Sequence, residues 1–254
     1  MPAILIGVVA SSRPNGPTIP SGRTFVYDPA ANDYDAYEVT SWSPLTLALD
    51  GTFNISSDAQ TGTYVGACVS GTAIYRIYCT DQPRVRLITY ALDNYTSSSN
   101  NIVDTGNNLF PYGFIRTGGT FYVVMDEGEG AKGWYSSDGN SLTRIGNASV
   151  LYTQMYEGSG TIYGVGGISG SITDNKLYVG IDVADGTYDS SLTLKLSGTP
   201  LNNVVGLMVV SGVVYVIGSP EGSNWYLYQV NLSTGECASL GTASQIGWLA
   251  NFAS

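Results

Sequence analysis

The groups a ligand would need are scattered through this chain. Asp81, Arg84, Asp126, Glu127, Glu129, Asp174 and Glu221 carry charge, while Trp134 and Trp225 offer flat aromatic faces. These nine residues are the candidate ligand contacts. Two carboxyl groups flanking one glycosidic bond, a few ångströms apart, could cleave it by a retaining or inverting route. Glu157 is the clearest acid on a segment that reads as an inner strand; most of the others read as loop charge. Asp126-Glu127-Gly128-Glu129 has the clustered carboxylates that a hard cation prefers, yet no EF-hand spacing accompanies it. The chain has no histidine, which removes the commonest general base and the commonest metal ligand together. The expectation is therefore a binding chain rather than a catalyst, with no metal, no cofactor and no catalytic residue assigned.

Aromatic residues near the loops support binding. Trp42, Trp134, Tyr135, Trp225, Tyr226 and Trp248 could stack on sugar rings or fill a partner's pocket. The competing reading packs each of them between sheets. Tyr, Ser, Gly and Asn give adaptable recognition surfaces at low ordering cost.

The elements that must position these groups repeat. The phrases Gly71-Thr-Ala-Ile-Tyr75, Gly119-Thr-Phe-Tyr122, Gly160-Thr-Ile-Tyr163 and Gly212-Val-Val-Tyr215 place their tyrosines roughly 41 to 52 residues apart. Periods of that size belong to solenoids, propellers or arrays. Nine residues before three of the tyrosines stands a glycine (Gly66, Gly113, Gly206); Gln154 takes that place in the other unit. A glycine inside an apolar strand marks close approach of another backbone. These segments read as first strands and the tyrosine phrases as second strands. A polar loop, a third strand, a turn and a short fourth strand follow.

The turns read as Tyr27-Asp28-Pro29-Ala30, Leu92-Asp93-Asn94, Ser137-Asp138-Gly139-Asn140, Val183-Ala184-Asp185-Gly186 and Leu232-Ser233-Thr234-Gly235. Asp, Asn and Gly suit turns because they bond their own backbone or accept positive φ. Fourth strands are expected to close with glycine at Gly106, Gly146, Gly198 and Gly241. Five turns make five units of about 51 residues. The fifth is expected to be split, with Gln245–Ala250 as first strand beside Ala3–Val8 as second. Such closure would protect an exposed edge. Ser11–Ser21 reads as an elaborated loop, and Pro44–Gly62 as an extended fourth strand, an extra hairpin or a degenerate further unit. No segment carries a 3.6-residue apolar stripe, so helix should be scarce.

Bulk properties agree with a folded β protein. Of 254 residues, 43% are apolar and only 12% charged, with 32 glycines and 19 tyrosines; disordered chains show the opposite balance. The net charge is −10 and the ten basic residues are dispersed, which disfavours nucleic acid and anionic membrane surfaces. No apolar run approaches the ~18–20 residues that span a bilayer, and the N-terminal stretch lacks the basic region of a signal peptide. Cys68, Cys79 and Cys237 are an odd number. Cys68 and Cys79 fall out of register across their hairpin, so all three read as small buried apolar groups.

This pattern resembles the five-bladed β-propeller architecture over nearly the whole chain. The resemblance implies an all-β fold: a single propeller domain, 1–254, of five four-stranded blades, the first closed by N- and C-terminal strands, with six blades as the alternative. Ser136-Ser137-Asp138-Gly139-Asn140-Ser141-Leu142-Thr143 is similar to the Asp-box turn of sialidase-like propellers, with Asn140 in place of a glycine and no final tryptophan. Tyr27–Tyr34 resembles the outer turn of kelch-type blades. Five-bladed propellers include families similar to arabinanases and invertases, so a glycoside hydrolase is the alternative function. Composition resembles that of a bacteriophage virion component. The expected function is a non-enzymatic module that decorates the particle, docks to other virion proteins or adheres to host-surface glycan, as a virion or extracellular protein. A homo-oligomer is possible on the same grounds. The four Asn-x-Ser/Thr sequons, at Asn54, Asn94, Asn147 and Asn231, read as incidental.

Overall fold

The computed structural model describes residues 4–5, 22–28, 33–42, 45–54, 65–70, 73–79, 84–91, 97–104, 109–167, 175–210, 212–221, 224–242 and 251–252. Among them there is no helix, and so none long and apolar enough to cross a membrane. Sheet I contains β1 (Ile4–Leu5), β2 (Gly22–Asp28), β3 (Asp33–Trp42) and β4 (Leu45–Asn54). Sheet II contains β5 (Val65–Ser70), β6 (Ala73–Cys79), β7 (Arg84–Ala91) and β8 (Ser97–Asp104). Sheet III contains β9 (Phe110–Thr117), β10 (Thr120–Gly128), β11 (Ala131–Ser137) and β12 (Leu142–Asn147). Sheet IV contains β13 (Leu151–Gly158), β14 (Thr161–Gly167), β15 (Lys176–Ile181) and β16 (Tyr188–Thr193). A two-stranded ribbon, β17 (Lys195–Leu196) and β18 (Thr199–Pro200), leads to sheet V: β19 (Asn203–Val210), β20 (Val213–Ser219), β21 (Tyr226–Val230) and β22 (Cys237–Thr242). A last short strand, β23 (Asn251–Phe252), joins sheet II. Within each sheet, strands consecutive in sequence pair antiparallel.

The repeated phrase is a hairpin turn plus the start of a second strand. Thr117 pairs with Thr120 around Gly118 and Gly119, whose φ values are 57° and 85°. Gly158 pairs with Thr161 around Ser159 and Gly160, at 54° and 78°. Two successive positive φ values define the type I′ turn, whose twist suits a hairpin. The tyrosines then share one register: Tyr75 faces Cys68, Tyr122 faces Ile115, Tyr163 faces Tyr156 and Tyr215 faces Met208. That register separates Cys68 from Cys79. Cys68 and Cys237 are both free and buried; the side chain of Cys79 lies outside the description.

Among the described residues, three gaps between neighbouring sheets each hold a core. Cys68, Ile77, Val85 and Leu87 of sheet II meet Phe114, Phe121, Val123 and Met125 of sheet III. Ile115, Val124 and Trp134 of sheet III meet Tyr152, Met155, Tyr178 and Ile181 of sheet IV. Tyr156, Tyr163, Val165 and Leu177 of sheet IV meet Leu207, Met208, Val216 and Leu227 of sheet V. The middle strands are therefore apolar on both faces, as strands covered on two sides must be. First strands pack neighbour to neighbour, β5 on β9, β9 on β13 and β13 on β19. At Gly113 an added Cβ would lie 2.6 Å from the Tyr152 carbonyl oxygen, so the glycine answers to the adjacent first strand.

Several expectations need correction. The N-terminal sheet is already four-stranded, with β1 first in order and β4 fourth; the Pro44–Gly62 stretch thus supplies a fourth strand. The described C-terminal residues, Asn251 and Phe252, pair with β5. Residues 245–250, the expected closing strand, lie outside the description, as do residues 29–30 and 92–94 of two expected turns, Gly106 and the 11–21 loop. Ser197-Gly198 does not close a fourth strand. It is the turn of the β17–β18 ribbon, at φ values of 51° and 79°.

Candidate functional site

Antiparallel order divides the turns between two ends of the molecule. First-to-second and third-to-fourth strand turns share one end; second-to-third turns and the links between sheets share the other. Asp126, Glu127 and Glu129 belong to the second end. They do not form a long polar loop, as expected, because β10 runs on to Gly128 and turns through Glu129 and Gly130 alone. Glu129 sits there exposed at φ 52°. Asp126 is half-buried, and its Oδ1 accepts the Gly128 N–H at 2.8 Å.

Glu127 is the centre of an ordered polar cluster. Its Oε1 accepts the Tyr135 hydroxyl at 2.6 Å and Arg144 Nε–H at 2.7 Å, while Oε2 accepts Arg144 Nη2–H at 3.1 Å. Arg144 Nη2 also donates to Asn147 Oδ1 at 2.5 Å. The bidentate guanidinium fixes the carboxylate in plane. Arg144 lies across from Tyr135 in the β11–β12 register. An added Cβ on Gly133 would strike Glu127 Oε1 and Tyr135 Cε2, so only glycine leaves room beneath the pair. The Arg144 bond holds the Glu127 carboxyl below its usual range. Burial first, then the Glu127 bond, pushes the Tyr135 phenol up to about 12. At neutral pH the cluster is an ionised carboxylate with both oxygens engaged, beside an arginine whose side chain is 44% exposed. It can present hydrogen-bond donors outward, but it holds no proton to give.

The other candidates scatter. Trp134 is fully buried; its indole N–H donates to the Val183 carbonyl at 2.9 Å, and its ring stacks on Tyr122 at 6.1 Å. It presents no face to a ligand, which corrects its place among the contacts. Trp225 is half-buried against the sheet IV–V core. Glu221 is exposed beyond β20 at the second end. Arg84 opens β7, paired in backbone register with Asp104. Asp81 and Asp174 lie outside the described residues. Glu157 sits near the far end of β13, beside the Ser159–Gly160 turn. It is thus at the opposite end of the molecule from Asp126 and Glu127. Five or six strand residues at about 3.3 Å each separate the two levels, far beyond the ~5–9.5 Å of a glycosidase pair. Among the described residues no group of three or more Asp, Glu, Cys or His could hold a metal ion.

Sequence reasoning missed Arg144 and Asn147. The available signal was strand pairing, because an arginine two residues after the start of the fourth strand must lie beside the third-strand aromatics. That turn itself agrees with the Asp-box likeness. Asp138 Oδ1 accepts the Asn140 and Ser141 N–H groups at 2.9 and 3.1 Å, which lower its pKa. Asp185 Oδ1 accepts from Thr187 N–H at 2.9 Å, and Asn231 Oδ1 from Ser233 N–H at 2.9 Å.

No family model matches the chain, and no curated protein matches it. Among solved structures it is similar to Myxococcus xanthus glutaminyl cyclase, at 16% identity and a TM-score of 0.47, over 70% of this chain and 68% of that one. It is also similar to a puromycin-hydrolysing peptidase of Mycobacterium tuberculosis, at 14% identity and a TM-score of 0.46. That match covers 91% of this chain and 39% of the peptidase. Both neighbours are enzymes by name, and neither is a phage or lectin protein. The expectation of a non-enzymatic chain is corrected on that finding. Its premise was too strong in any case, since carboxylates, lysines, tyrosines and cysteines also serve as general acids and bases. Likenesses this distant lend the chain neither activity nor substrate.

Proposed function

We propose that the sheets are blades of one five-bladed β-propeller domain spanning residues 1–254, and that the molecule works by recognition at the end carrying Glu127. The observation behind this reading is the Glu127–Tyr135–Arg144–Asn147 cluster. A guanidinium is held in a fixed plane at the surface by a carboxylate and an amide, and the carboxylate is itself held by a phenol. Planar, preorganised donors of this kind suit the hydroxyls of sugars and the carbonyls of a docked protein. Exposed Glu129 and Glu221 and half-buried Trp225 belong to the same end. The acidic, histidine-free composition supports a place in a phage particle, bound to other virion proteins or to host-surface glycan.

A glycan array probed beside a pulldown from virion lysate tests this. Saturable sugar binding, or copurification of capsid or tail proteins, that weakens at least tenfold in Arg144→Met supports the reading. Retained binding in Arg144→Met would remove the cluster from the contact surface. Release of sugar from arabinan or fructan by the purified chain would move the reading to a glycoside hydrolase.

A further inference from the structure

Arg116 stands near the end of β9, beside the Gly118–Gly119 turn and therefore at the end of the molecule opposite Glu127. Residues paired directly across neighbouring strands share a face of the sheet. Arg116 pairs with Phe121 on β10, and Cys68 on β5 pairs with Tyr75 on β6. Phe121, Cys68 and Tyr75 all belong to the gap between sheets II and III, so the Arg116 side chain enters that gap as well. Its guanidinium carbon lies 4.9 Å from the centre of the Tyr75 ring and 5.3 Å from that of Phe121. The two rings meet edge to face at 5.0 Å, and Phe114 stacks on Phe121 at 5.4 Å.

Aromatic faces hold a cation in place but leave its directional N–H donors unbonded. Arg116 Nε is buried and has no hydrogen-bond partner. Among the described residues the guanidinium has no ion pair and donates no hydrogen bond, whereas Arg144 is held by Glu127. Acid is not scarce, since the chain has 20 Asp and Glu against 10 Lys and Arg. A half-buried guanidinium that no carboxylate balances carries a desolvation cost, which an incoming anion would offset. There is room for one to approach: Gly118 and Gly119 are exposed, with nothing within 4 Å of an added Cβ.

We propose that Arg116 anchors a carboxylate-binding site, and that the carboxylate is an Asp or Glu side chain of a partner protein. With Nε buried, the ligand meets the outward Nη1–Nη2 edge, whose parallel N–H groups match the two oxygens of one carboxylate. The guanidinium itself lies over the Tyr75 and Phe121 rings, so neither offers that face for a sugar acid to stack on. An acidic side chain needs no such platform, because its flexible stem brings the carboxylate to the edge alone. The net charge of −10 opposes a polyanion more strongly than a single charge, so the partner segment carries one acid among neutral residues. The Glu127 cluster, at the other end of the molecule, plays no part in this site.

The test follows two sets of NMR signals in the nitrogen-15-labelled full chain at neutral pH: the side-chain N–H groups of Arg116 and the backbone N–H groups of Gly118 and Gly119. Sodium acetate should shift both sets saturably, while sodium chloride at equal ionic strength leaves them in place. A capped Gly-Ser-Glu-Ser-Gly peptide should act as acetate does, and the same peptide with glutamine should not. In Arg116→Lys, which keeps the charge but loses the planar fork, the glycine signals should report binding of the glutamate peptide at least about tenfold weaker. Absence of a saturable shift in the parent chain, equal binding of the glutamine peptide, or unchanged affinity in Arg116→Lys would overturn the proposal. Phosphate or glucuronate binding at least about tenfold tighter than the glutamate peptide would overturn it too, by making a phosphate group or an acidic sugar the ligand.

Discussion

At the scale of single residues, the cluster around Glu127 converts sequence into a pH signature. A carboxyl whose pKa is depressed in the folded state stabilises the fold above its ordinary pKa, and that stabilisation fades as pH falls through the folded value. For Glu127 the window therefore opens near pH ~4.3 and extends downward. Tyr135 has the opposite sign. Its folded pKa, about 12, lies above the ordinary ~10, so its contribution is complete below ~10 and disappears as pH rises through about 12. Thermal unfolding followed across pH should show a flatter acid limb in Glu127→Gln than in the parent chain. Tyr135→Phe should lose about 1–2 kcal/mol at neutral pH and remove the alkaline step. Superimposable pH profiles in parent and variants would show that the cluster is not formed in solution. None of this was legible from Glu127 alone, whose Asp-Glu-Gly-Glu setting looks like solvated loop charge. The partner that fixes its role is seventeen residues further on, and only the β10–β11–β12 pairing brings the two together.

At the scale of the strand and hairpin, two glycines from neighbouring repeats are required for different physical reasons. Gly160 has φ 78° and nothing within 4 Å of an added Cβ. Gly160→Ala should therefore cost only the left-handed penalty of about 1–2 kcal/mol. Gly113 is not in a left-handed conformation, but its Cβ would lie 2.6 Å from the Tyr152 carbonyl and 2.8 Å from Tyr152 Cβ. Gly113→Ala should cost about 1–3 kcal/mol through overpacking. A second substitution separates the mechanisms. Asn at position 160 tolerates positive φ and should recover much of the loss, whereas Asn at 113 should be worse than Ala. Chemical denaturation of the four variants reads this directly, and a recovery at 113 would contradict the close approach of sheet IV. Both glycines were legible, one from its turn phrase and the other from its place in an apolar strand. The Trp134-Tyr135 dipeptide was not. Alternation assigns neighbouring residues to opposite faces and lets one of them face water, but β11 is covered on both sides. Trp134 faces sheet IV and Tyr135 faces sheet II.

At the scale of the whole molecule, cohesion comes from turns of one sheet seated on the aromatic residues of the preceding one. The Asp182–Thr187 turn of sheet IV closes over Trp134 of sheet III. Val183 accepts the indole N–H, Gly186 lies where an added Cβ would be 2.8 Å from the indole ring, and the Gly186 carbonyl accepts the Tyr152 hydroxyl at 3.0 Å. The aromatic contacts continue from Trp134 to Tyr152 at 6.5 Å, to Tyr178 at 5.5 Å and to Tyr188 at 4.8 Å. Gly235 of sheet V similarly leaves no room for a Cβ beside the Thr193 carbonyl of sheet IV. Repeat period and turn residues announced the sheets, because both are local. The joints were hidden, because each is a contact between residues about 40 to 50 positions apart, and so was the pairing of β23 with β5. The joint at Trp134 has a measurable consequence. Trp134→Ala should destabilise the fold by about 3–5 kcal/mol, lowering Tm by on the order of 10 °C. Because sheets III and IV share that core, fluorescence and circular dichroism should still report one transition. Two separated transitions would mean that the sheets fold as independent units and that the turn merely rests on its neighbour.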